Sequence, residues 1–69
     1  MKNWYDEGTI LLIRILGSQR LQTYFVLEEF ETYVLAVDLK RIAAPLPIQK
    51  TFFETNRDVA EMVEVLYND

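Results

Sequence analysis

Three stretches of this chain are apolar at consecutive positions rather than at every second one. In the segment from Gly8 to Leu16, residues Leu11, Ile13 and Ile15 share one parity, while Ile10, Leu12 and Leu16 share the other, broken by Arg14. Further on, Phe25 and Leu27 oppose Tyr24 and Val26, and then Tyr33, Leu35 and Val37 oppose Val34 and Ala36. Successive side chains of a strand point to opposite faces, so a sheet with one face in water alternates apolar and polar residues. Strands built from these segments are apolar above and below.

The case for strands is local. Gly17-Ser18 closes the first segment with a turn signal. Thr23, Tyr24, Phe25 and Val26, and later Thr32, Tyr33, Val34 and Val37, are good strand formers. Strands are expected at about 9–16, 20–28 and 31–38. Pro45 and Pro47 fix φ, lack a donor, and push Ala44 and Leu46 toward extended backbone, which reads as a connector. A short fourth strand is expected at 48–54, with Phe52 and Phe53 facing opposite ways. Thr55-Asn56-Arg57-Asp58 has the form of a capping box, with Asp for the usual Glu. Val59, Met62, Val63 and Leu66 then fall at i, i+3, i+4 and i+7, which predicts a C-terminal helix over about 56–67, ending near Asn68.

The expected fold class is therefore α+β: a small antiparallel sheet of three to four strands with one C-terminal helix, in a single domain over 1–69. Two alternatives stand beside it. One is an SH3-like small barrel plus helix. The other makes residues 27–44 helical, since Leu27, Phe30, Val34 and Val37 have helical spacing. Glu28, Glu29 and Glu31 would then start that helix and Lys40 and Arg41 would end it, which suits the helix dipole. The β-branched and aromatic content of 23–37 favours strands. Glu28-Glu29 is a poor tight turn, so a bulge or longer connection is expected near 28–31.

The chain of 69 residues has no Cys and no His. A domain this short buries only about 60% of its unfolded surface, and usually needs a disulfide, a metal or a partner. Disulfides, Cys/His zinc sites and His-based nucleophilic catalysis are all excluded by composition. Gly8 and Gly17 are isolated, so no phosphate-cradling loop is present. No cofactor or metal site is read, and the expectation is a protein that is not an enzyme. With 7 Lys+Arg against 11 Asp+Glu the net charge is −4. The cations are scattered, which argues against direct nucleic-acid binding. The apolar run Thr9–Ile13 is far shorter than the ~18 residues of a membrane span. Asp6 and Glu7 follow Met1-Lys2-Asn3 too closely for a secretory signal. A cytoplasmic location is expected.

One helix stripe covers one face of a sheet; barrel closure, a second copy or another protein must cover the other. The functional expectation is a non-catalytic protein-binding protein. It would be a small accessory or inhibitory factor acting through an apolar surface rimmed by carboxylates, and self-associating as a homodimer. Tyr33 and Leu35 supply apolar surface. Trp4 and Tyr5 are of the type enriched at binding hot spots, though a Trp here also serves to cap a small core. Glu28, Glu29 and Glu31 around Phe30 form the densest acidic cluster, a knob for a basic partner or a solvated turn. Asp58, Glu61 and Glu64 add a second acidic face. The alternative is an acidic phage or mobile-element inhibitor that mimics the phosphates of DNA and blocks a nucleic-acid-processing enzyme through charge complementarity.

Overall fold

The computed structural model describes residues 3–41 and 43–66. Its elements are β1 (Ile10–Ile15), β2 (Arg20–Glu29), β3 (Tyr33–Asp38), β4 (Leu46–Gln49), α1 (Phe52–Thr55) and β5 (Ala60–Leu66). The strands form one sheet in the order β4-β3-β2-β1-β5, and every neighbouring pair is antiparallel. β1 and β2 are joined by a tight turn in which the Gln19 N–H donates to the Ile15 carbonyl at 2.9 Å. That turn needs left-handed backbone: Gly17 has φ 94° and Gln19 has φ 55°. Glycine adopts such a φ without steric cost.

The pairing register sorts the two parities. Leu11 lies opposite Tyr24 and Ile13 opposite Gln22; between them, Ile10 lies opposite Phe25 and Leu12 opposite Thr23. Val26 pairs with Ala36, and Val34 with Ile48. The buried core is Leu11, Ile13, Val26, Val34, Ala36, Ile48 and Ala60, all of one parity. Ile48 comes from one edge strand and Ala60 from the other, so the sheet curls until both edges reach the same core. Phe52 and Phe53 of α1 and the N-terminal Trp4 and Tyr5 pack against it. Trp4 meets Phe53 with ring centroids 5.2 Å apart at 88°, and Phe52 meets Phe53 at 5.1 Å and 90°. Edge-to-face contacts of this kind suit the ring quadrupoles.

The expected fold class is overturned. The molecule is a five-stranded antiparallel sheet with one short helix, not a sheet of three to four strands with a C-terminal helix. Residues 57–59 are a turn and Ala60–Leu66 is a strand, so the helix over about 56–67 does not form; its expected end at Asn68 lies outside the described residues. The reason is twofold. Asn56 terminates α1: its N–H and its Nδ2 both donate to the Phe52 carbonyl, at 2.9 and 3.1 Å. The second edge of β1 also offers a row of donors and acceptors that β5 satisfies. In β5, Ala60, Met62 and Val65 turn inward, while Val59, Val63 and Leu66 of the apparent helical stripe are exposed. The helix of the barrel-plus-helix alternative fails on the same strand. The helix over 27–44 fails too, because 27–29 end β2 and 33–38 form β3.

The fourth strand is shifted. β4 occupies Leu46–Gln49, and Phe52–Thr55 is a helical turn rather than the end of a strand over 48–54. β4 is an edge strand, where proline is tolerated because the ladder asks nothing of its nitrogen. A bulge does occur in the β2–β3 hairpin, between Val26 and Glu28.

Leu11 has no exposed surface and sits between β2 and β5. Leu11→Ala is expected to cost about 2–5 kcal/mol, read as a lower urea midpoint. A loss well under 1 kcal/mol would place Leu11 outside the core.

Candidate interaction surface

The parity that does not enter the core makes the outer face. From β3 through β1 it carries Leu35 and Val37, then Phe25, then Ile10 and Leu12, all half-buried. Both bulges add to this face. Val26 and Glu29 take inward positions, leaving Leu27 and Glu28 outward; Met62 and Val65 do the same for Val63 and Glu64. Leu21, Leu27, Val63 and Leu66 are 51%, 45%, 44% and 43% exposed, far above the core residues of the opposite parity. α1, the one helix among the described residues, packs on the inner side, so it leaves this face to solvent. Protein interfaces form on contiguous exposed apolar patches, which makes this face the candidate surface.

Carboxylates border it. Glu61 and Glu64 lie on β5 opposite Arg14 and Leu12, and Glu28 lies opposite Leu35. Glu61 accepts from the Arg14 guanidinium at 2.8 Å, in a pair whose side chains are nearly half exposed. A shallow hollow of about 510 Å³, lined by Arg14, Leu16, Gly17, Gln19 and Leu21, lies at the turn between β1 and β2.

Of the residues singled out in the sequence, Glu28, Tyr33, Leu35, Glu61 and Glu64 share the outer face. Phe30 touches this set through Tyr33; the rest do not join it. Trp4 and Tyr5 are half-buried against the core. Glu29 points to the inner side, where Lys50 Nζ donates to its Oε2 at 2.8 Å and also lies 4.5 Å from the Tyr5 ring centroid. The Glu29 N–H is held by Glu7 Oε2 at 3.2 Å. This group ties the N-terminal arm to β2 and β4. Phe30 stacks on Tyr33, with centroids 4.8 Å apart at 17°. Glu31 is exposed in the β2–β3 turn, and Asp58 in the turn before β5. The acidic cluster is therefore divided between two sides of the sheet. The centre of the outer face, Ile10, Leu12, Phe25 and Val37, was absent from the candidate set; its parity in the sequence was the available signal.

On the inner side, a cavity of about 110 Å³ is lined by Ile13, Ile15, Gln22, Tyr24, Leu46, Pro47, Ile48, Phe52 and Ala60. It is smaller than the ~300 Å³ at which small-molecule sites begin. Among the described residues no three Asp or Glu side chains gather as metal ligands, and no helix is long and apolar enough to cross a membrane. Comparison with protein-family models, with curated proteins and with solved structures found no match.

Tyr24 borders this cavity, and its hydroxyl donates to Gln22 Oε1 at 2.6 Å. Burial, and then the charge of Asp38, push its pKa above the ordinary 10.0, with Arg41 opposing. A phenol that ionises less readily in the folded state stabilises the fold below its unfolded pKa; that contribution is lost as pH rises through the folded value. The wild-type melting temperature is expected to fall above about pH 10, and to fall less in Tyr24→Phe. An identical alkaline decline in the two proteins contradicts this.

Proposed function

We propose that this chain is a non-catalytic protein-binding factor, an accessory or inhibitory protein of the cytoplasm, with a second copy of itself among its partners. The observation that carries this reading is the outer face: half-buried apolar residues across β1, β2 and β3, flanked by exposed Leu21, Leu27, Val63 and Leu66, with no helix over them although the inner core is already complete. Each further Leu or Phe taken out of water contributes about 1.5–3 kcal/mol. That is a sizeable part of the stability a domain of this length has in hand. Association through the outer face thus supports both binding and folding.

The charge-mimic alternative has less support. Glu61 and Glu29 are occupied by Arg14 and Lys50, and the acidic residues lie on both sides of the sheet rather than along one groove-filling line.

The expected outcome is concentration-dependent association of the wild-type protein in sedimentation equilibrium. Leu35→Asp, which sets a carboxylate in the apolar patch, is expected to weaken it at least about tenfold. The pair Leu21→Ser with Leu27→Ser, at exposed positions, is the milder variant and should weaken it in the same direction. A wild-type chain that stays monomeric up to millimolar concentration contradicts the reading, as do variants that associate like wild type.

A further inference from the structure

β5 is paired along one side. The sheet ends with it, and among the described residues no strand lies beyond it. The Leu16 N–H donates to the Val59 carbonyl at 2.9 Å, which sets the alternation along β5: main-chain groups turn toward β1 and away from it at successive residues. Glu61 and Glu64, opposite Arg14 and Leu12, turn theirs to β1. Met62 and Val65, on either side of the bulge at Val63, turn theirs to the open edge. The Ala60 N–H also faces away from β1 and is taken by the Asn56 carbonyl at 3.0 Å. The opposite edge of the sheet is guarded. There the Lys50 N–H donates to the Thr32 carbonyl at 3.0 Å, so the same alternation turns Ile48 and Leu46 toward β3 and Pro47 outward, where its nitrogen has no hydrogen to give. β5 contains neither proline nor lysine, two residues that commonly guard an edge.

We propose that the open edge of β5 takes up an extended segment of another protein, which adds as a strand and carries Lys or Arg facing Glu64. Main-chain hydrogen bonds from such a strand satisfy Met62 and Val65, and its side chains supply the selectivity. Charge names the occupant. Asp58, Glu61 and Glu64 are all exposed, and no cation stands between Asp58 and Leu66. A second β5 laid along the first brings together carboxylates and no cation, and like charges destabilise a strand pair. β4 of a second copy brings Pro47 instead. A basic strand meets neither obstacle. Glu64 is the carboxylate it meets most directly, because Glu61 already accepts from Arg14 at 2.8 Å. This edge is separate from the outer face, so the two readings stand or fall independently.

Amide hydrogen exchange tests the edge, at a protein concentration low enough to keep the chain monomeric. In the free protein the Met62 and Val65 amides are expected to exchange at least about tenfold faster than those of Glu61 and Glu64. The probe is a short capped peptide alternating Lys with Val; its counterpart has Glu in place of Lys. The Lys peptide is expected to slow exchange at Met62 and Val65 and leave Glu61 as it was, and the Glu peptide to change neither. Glu64→Lys is expected to weaken binding of the Lys peptide at least about tenfold, with unchanged exchange at Glu61 showing that the fold persists. Should that variant lose its fold, Glu64→Gln tests the same contact through weaker binding and a shallower salt dependence. Met62 and Val65 amides as slow as Glu61 in the free protein, equal binding of the two peptides, or no binding of the Lys peptide overturns the proposal. Protection at Met62 and Val65 that rises with protein concentration in the absence of peptide makes the occupant a second copy and overturns it too.

Discussion

β1 is hydrogen-bonded along both of its edges, to β2 and to β5, and that double pairing determines which side chains face inward throughout the sheet. Once Leu11 is set against Tyr24 and Val65, the period of two fixes the rest: Ile13, Val26, Val34 and Ile48 go in, and Ile10, Leu12, Phe25 and Leu35 go out. A slip of one residue would exchange the two sets. In most half-buried sheets such a slip is costly because it drives polar residues into the core. Here both sets are apolar, so the inward choice rests more on shape and turns. Leu16–Gln19, with its left-handed Gly17 and Gln19, and the aromatic contacts of Trp4 with Phe53 supply that choice.

The same constraint motivates the proposed association. The inner face is closed by residues from every element: Ile48 and Ala60 from the two edges, Phe52 and Phe53 from α1, and Trp4 and Tyr5 from the N-terminal arm. Nothing among the described residues remains to cover the outer face. In the proposed reading, contact with another surface adds stabilisation that a chain of 69 residues without disulfides otherwise draws from its core alone. The bulges at Leu27 and Val63 do two things at once. They bend the edge of the sheet, and they place two more apolar side chains beside Glu28 and Glu64 on the outer side.

The division of the strands into two apolar parities was legible in the sequence, because alternation maps directly onto faces once strands are granted. The C-terminal element was not. A bulge at Val63 shifts the parity of β5 midway, so Ala60, Met62 and Val65 do not look alternating. Val59, Met62, Val63 and Leu66 meanwhile mimic a helical stripe. Thr55 and Asn56 carry capping character, but they spend it on ending α1. Phe52 and Phe53 look like strand residues until Trp4, about fifty residues earlier, is brought against them. The acidic cluster was legible as composition and illegible as a site: Glu29 is drawn to Lys50, 21 positions away, while Glu28 and Glu31 stay exposed.

The most direct measurement is methyl relaxation by a soluble paramagnetic cosolute, read at two protein concentrations. In dilute solution the methyls of Ile10, Leu12, Leu35 and Val37 should relax strongly, while those of Leu11, Ile13 and Val34 stay protected. On concentrating the protein, the first group should become protected and the second should not change. Equal protection of the two groups at dilution, or an outer group that stays accessible at every concentration, would contradict the account of a sheet whose second apolar face is closed by association.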